Sequence, residues 1–381
     1  MESIQLFWLI FTFGIGACIG SLINVVVARL PLEKSILWPG SRCGSCLQPI
    51  SGLSNIPIFS YLFLRGRCAT CGVRYSSRYL WVELFTALAF AGLFWFDVLQ
   101  NGHDLAFIRH AQVDISLGWV PWRCWVFFIW HAALLGFLIA AALTDFDGKV
   151  IPLPLTVTGT IIGLIGATLM PWPWPNQGFE VFSMPADRPW IFKESLGHIA
   201  RGVYAWPFWG PLPNWCPAGS WQLGLLTGLA GAAAGNLMMR AIKFLFEQGM
   251  GIEALGQGDA DLMMMVGAFL GWQMVVVGFF FGVFAALLLC IPMFLMRGFR
   301  PAKPRIPTGD PVDEDRYIPF GPGLAIGSLI AMLSWKTMGP LFQPFLFEWF
   351  VLVLGVTFMG GGMFIASLLL GRGRNEPATK A

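Results

Sequence analysis

The chain has 381 residues, 56% hydrophobic and 12% charged, with a formal net charge of +3, whereas soluble domains are nearer ~45–50% apolar and ~25% charged. That balance excludes an ordinary soluble globule, and nothing in the sequence resembles a nucleic-acid-binding fold. Apolar runs that are continuous rather than alternating exclude a β-barrel as well.

A membrane-spanning helix needs ~20 mostly apolar residues. Such runs lie at 4–28, 79–97, 124–144, 151–171, 222–243, 273–296, 320–335 and 346–370, with a shorter one at 259–272. The expectation is an all-α polytopic membrane protein of eight or nine transmembrane helices. The first run lacks a basic start and an A-x-A-like exit, so it reads as a retained helix rather than a signal peptide. In chain order the predicted regions are a first helix (1–29), a cysteine-containing loop domain (30–78), helices (79–171), a Trp- and Pro-rich loop (172–221), helices (222–296), a charged loop (297–318), and C-terminal helices with a tail (319–381).

Lysine and arginine concentrate on cytoplasmic loops. With the N-terminus outside, segments 29–78, 145–150, 240–258, 297–318 and 371–381 lie inside and hold 18 of the 24 basic residues. The predicted orientation is therefore N-out and, with nine crossings, C-in. The basic loops would then face anionic lipid headgroups.

The loop at 30–78 holds two Cys-x-x-Cys pairs, Cys43 with Cys46 and Cys68 with Cys71. Two such knuckles match a tetrahedral site in which each supplies two thiolates, and zinc is the expected ion. Cytoplasmic thiols stay reduced, which disfavours two disulfides. Four sulfur ligands fill the coordination sphere, so this zinc is structural and holds together a loop too short for its own core. Cys18, Cys124 and Cys290 read as packing residues. The four histidines are scattered and offer no convincing ligand or base.

Carboxylates at the ends of membrane helices are costly unless they line water or a partner, which makes them functional candidates. Two places qualify. Asp145 closes one predicted helix, with Asp147 two residues on. Asp259 opens another, after Gly256 and Gly258, with Asp261 in its first turn. An acid at a helix N-terminus is commonly only a cap. The predicted topology, however, puts both places at the cytoplasmic edge. Two carboxylates held together share a proton, so one can activate water while the other protonates a carbonyl oxygen or leaving amine, as in aspartic proteases. The glycines permit a tight turn and close approach of an extended peptide.

The motifs together resemble the type IV prepilin peptidase family. The resemblance rests on "GACIGSLINVVVARLP" (16–31), the two cysteine pairs, "NIPIFSYLFLRGRC" (55–68), "SSRYLWVELFTALAF" (76–90), "LTDFDGKVIP" (143–152), "ALGQGDADLMMMVGAFLGW" (254–272) and "IPFGPGLAIG" (318–327). It implies a bifunctional enzyme of the bacterial cytoplasmic membrane. Such an enzyme cuts the basic leader from prepilins or pseudopilins after a Gly, then methylates the new N-terminus with S-adenosylmethionine. It implies Asp145 and Asp259 as the catalytic pair, Asp145 standing seven residues before Pro152, with Asp147 as the alternate. Glu83 and the cysteine loop fall in the part associated with methyl transfer. Asp261 departs from the family's usual Lys, placing an anion where a cation is expected. An ion- or proton-coupled transporter also uses paired carboxylates, but it leaves the cysteine loop unexplained and implies an inverted repeat that the sequence lacks.

Overall fold

The computed structural model describes residues 2–148, 150–170, 214–217, 219–250, 256–297, 320–347 and 361. Most of the Trp- and Pro-rich loop, the charged loop at 298–318 and most of the predicted last helix lie outside the described residues. Among the described residues every extended element is a helix, and β-pairing is limited to two isolated bridges. The helices are α1 (Glu2–Arg29), α2 (Phe59–Phe63), α3 (Arg78–Phe94), α4 (Ala106–His110), α5 (Gln112–Ser116), α6 (Trp122–Phe146), α7 (Leu153–Leu169), α8 (Trp221–Met250), α9 (Gln257–Arg297) and α10 (Gly321–Phe347).

Five of the described segments are long and apolar enough to cross a membrane: Ile4–Leu32, Arg78–Leu99, Trp122–Phe146, Trp221–Leu245 and Gln257–Leu289. Leu153–Leu169 is a shorter apolar helix. The outward residues agree with a lipid environment. Leu6, Phe7 and Ile10 of α1 are all more than half exposed, an apolar face of the kind that water does not favour. Inside the helices, buried hydroxyls bond back to the preceding turn, as Thr86 does to the Val82 carbonyl at 2.7 Å and Thr144 to that of Ala140 at 2.8 Å. Each hydroxyl is thus satisfied without water.

The chain divides into two compact units, Met1–Leu155 and Thr156–Ala381. In the first, α1 lies against α3 and α6. Gly16 and Gly20 of α1 make the α1–α3 approach possible. A Cβ on Gly20 would fall 2.7 Å from the Glu83 Cα, and one on Gly16 would fall 2.8 Å from the Ala87 Cα. At the other end of these helices the aromatic residues Trp8, Phe94, Trp125 and Phe128 interlock, with ring centroids 5.2 to 6.0 Å apart between neighbours. In the second unit α9 packs against both α8 and α10. The boundary predicted between runs 259–272 and 273–296 appears as a kink in α9. Gly271 adopts φ 79°, ψ 169° there, a conformation that side chains disfavour.

Candidate functional site

The two cysteine pairs form two turns built alike. The Cys43 amide donates to the Gln48 carbonyl at 3.0 Å and the Leu47 amide to the Cys43 carbonyl at 3.0 Å. In the second turn Cys68 donates to Val73 at 2.8 Å and Gly72 to Cys68 at 2.9 Å. Bridges Arg42–Pro49 and Arg67–Arg74 close the turns, and Leu47 and Gly72 each take a positive φ directly after the second cysteine. The sequence reading missed this local repeat, because it lies in backbone hydrogen bonds rather than in side-chain identity.

The turns bring all four sulfurs within 4.8 Å of one another, and the Cys43 and Cys71 sulfurs are 3.8 Å apart. Tetrahedral zinc–thiolate bonds of about 2.3 Å require sulfurs about 3.8 Å apart, so this donor set fits such an ion. The electrostatics agree. Amides of Cys71 and Thr70 pull the Cys68 thiol down to about 6, and amides of Cys46 and Ser45 lower Cys43. The Val73 amide favours the Cys71 thiolate, but desolvation and the three neighbouring sulfurs together push that thiol up to about 11. A cation at the centre of the four sulfurs would favour the thiolate form of each.

Between α1, the cysteine turns and α3 lies a cleft of about 880 Å³. Glu83 lines it, with Tyr61, Tyr75 and Tyr79. The three tyrosine rings meet edge to face at 5.2 and 6.2 Å. Glu83 is buried, and its Oε2 accepts the Ile58 amide at 2.7 Å. Ile58 has φ 64°, a strained value for a β-branched residue. The Glu83 carboxylate therefore fixes the loop that roofs the cleft. Cys18, expected as a packing residue, is instead exposed and lines this cleft, whereas Cys124 is buried as expected.

Asp145, next to last in α6, is buried. Asp147 follows as the helix ends, and its Oδ1 meets the Arg78 guanidinium of α3 at 2.7 Å. In the second unit Asp259 sits in the first turn of α9 and is buried, and Gly256 lies beside its carboxylate. Gly258 is within that same turn. Asp261 is half-buried and feels the positive charge of Arg240 from α8.

The histidines are not all scattered. His103 and His131 converge on Asp97, and all three are buried. The sequence signal that could have flagged them is Asp97 itself, an ionisable residue inside a predicted span.

Two family models match the chain. The bacterial peptidase A24 N-terminal domain covers residues 15–96, which include the cysteine turns and Glu83. The type IV leader peptidase family covers residues 208–291, which include Asp259. Asp145 falls between the two matched stretches. The chain is also similar to proteins named prepilin leader peptidase/N-methyltransferase. That of Myxococcus xanthus is 31% identical over 264 residues, 69% of this chain and 56% of the relative. That of Aeromonas hydrophila is 28% identical over 358 residues, covering 86% and 91%, and that of Pectobacterium carotovorum is 27% identical over 362 residues, covering 87% and 96%. No solved structure matches.

Proposed function

We propose, because this chain belongs to the type IV leader peptidase family, that it is a membrane aspartic endopeptidase which removes the leader of prepilins or pseudopilins and then N-methylates the exposed amine. The single observation that supports this best is the pattern of acids. In each of two Asp-x-Asp sequences the first acid is buried and the second is less so. We assign the chemistry to the first acids, Asp145 and Asp259. One takes a proton from water, the resulting nucleophile attacks the scissile carbonyl carbon, and the other carboxyl protonates the carbonyl oxygen. Collapse of the tetrahedral intermediate breaks the C–N bond: the departing amine takes the proton that the first carboxyl drew from water, and the oxygen's proton returns to the second carboxyl. Gly256 and Gly258 leave room for an extended substrate. Asp147 is then a positioning residue that ties the end of α6 to α3 through Arg78.

The cysteine turns are assigned a structural zinc. Its role is to hold residues 30–78 in shape over the cleft, and the full thiolate set keeps it out of the chemistry. The cleft beside Glu83 is assigned to S-adenosylmethionine, since its size falls in the range of small-molecule sites, about 300–1,000 Å³. The donor supplies a methyl group to the free amine. Tyr61, Tyr75 and Tyr79 offer it aromatic walls, and Glu83 keeps the roof in place. Eight or nine crossings, N-out orientation and a catalytic face at the cytoplasmic side of the bacterial inner membrane complete the reading. The number of crossings rests on the apolar runs and the orientation on the distribution of basic residues, and basic leaders would approach from that side. A transporter is not favoured, since it accounts for neither the cysteine turns nor the cleft.

The experiment uses the full chain in detergent with a prepilin, followed by mass spectrometry. The expected result is loss of the leader and then, with S-adenosylmethionine present, gain of one methyl group. An intact prepilin after incubation would refute the peptidase reading. A cut but unmethylated product would refute the transferase half alone.

A further inference from the structure

Asp97, His103 and His131 are brought together by three separate elements. Asp97 lies in a π-helical turn, Trp95–Leu99, that continues α3. Such turns are rare and recur at functional sites. His103 comes from the following loop, where Asn101 and Asp104 both take positive φ. His131 comes from α6, roughly 21 Å along that helix from Asp145 at about 1.5 Å per residue. The His131 Nδ1 is 2.9 Å from Asp97 Oδ2, and the His103 Nε2 is 3.1 Å from Asp97 Oδ1. All three side chains are at most 1% exposed.

We propose that Asp97, His103 and His131 form a second site for a divalent transition metal of the zinc class, separate from the four cysteines. Two imidazoles and one carboxylate are a donor set that zinc accepts, with ligand distances of about 2.0–2.2 Å. Ligand atoms around one such ion stand roughly 3 Å apart; here each imidazole nitrogen lies at 2.9 or 3.1 Å from a carboxylate oxygen, and the three ligand atoms lie within 4.8 Å of one another. A carboxylate inside a membrane helix is expensive unless it is well paired, and a divalent cation held between the three side chains would pair it. Three protein ligands leave a coordination position for water or another small donor. The site would pin the far end of α3 and its loop to α6. The rival arrangement is a metal-free hydrogen-bonded triad.

Metal analysis separates the two. The full chain, loaded with zinc in detergent and dialysed until its metal content is constant, is expected to keep two zinc ions per chain. Asp97→Asn and His131→Gln should each keep one, and a Cys43→Ser/Cys46→Ser variant should also keep one. Cobalt retained by that cysteine variant should lack the thiolate charge-transfer absorption that cobalt in the four-cysteine site gives. If the Asp97 or His131 variants fail to fold, the wild-type count and the cysteine variant decide. One zinc in the wild type, or none in the folded cysteine variant, overturns the proposal, as does an Asp97→Asn protein that still keeps two.

Discussion

The ends of α6 and α9 carry the same short pattern, Asp-x-Asp, at opposite helix termini and in different units of the chain. At the α6 end the second acid, Asp147, makes an ion pair with Arg78 of α3, and at the α9 end the second acid, Asp261, is half-buried and within electrostatic reach of Arg240 of α8. Both first acids are buried. The comparison teaches that burial, and not the position along the helix, separates the two acids of each pair. That burial comes from helices distant in the sequence, so a reading limited to local sequence could rank the acids only by resemblance.

The sharpest way to break the comparison is to neutralise the first acids. Asp145→Asn or Asp259→Asn is expected to lower the leader-cleavage rate by about 10³- to 10⁴-fold, near the upper range of acid-base contributions, with the protein still inserted and folded by circular dichroism. Next in size is the cysteine site. Cys43→Ser/Cys46→Ser should release the zinc held there, and limited proteolysis should then cut within 30–78, because structural zinc supplies folding free energy directly. Methylation of a pre-cut pilin should fail with it.

Glu83→Ala removes the acceptor of the Ile58 amide and should abolish methylation while cleavage continues. Glu83→Gln keeps one carbonyl acceptor for that amide and should retain part of the activity. If Gln is as damaging as Ala, the carboxylate charge itself is required and the positioning role assigned to it is too small.

The cationic partners should matter least. Arg78 is 44% exposed, and exposed ion pairs contribute at most about 1 kcal/mol. Asp147→Asn should therefore slow cleavage by no more than about fivefold. Asp261→Asn should have the smallest effect, read as an unchanged KM with a slight change in kcat.

The legible parts of this molecule are those written in neighbouring residues. Five of the described helices followed from apolar runs long enough to span a bilayer, and the kink in α9 at Gly271 falls near the boundary between two predicted apolar runs. The cysteine site was legible because each knuckle is four residues long. The shared backbone pattern of its turns was not, since Leu47 and Gly72 take the same conformation with unlike side chains. Asp97, His103 and His131 were missed because a π-turn, a loop and a helix must fold before they meet. The role of Glu83 in holding Ile58 was also beyond sequence, since the strained φ that it stabilises has no compositional sign. Asp145 was preferred to Asp147 only through the resemblance, by its spacing from Pro152.

The most direct test of the proposed shared-proton pair compares cleavage rates of Asp145→Asn, Asp259→Asn and the double variant on one prepilin, with Asp147→Asn as the control. Residues that act as a unit lose their activity together, so the double variant should be no slower than either single one, and Asp147→Asn should stay close to wild type. A double variant slower by the product of the single effects would contradict the account, as would an active Asp145→Asn beside an inactive Asp147→Asn.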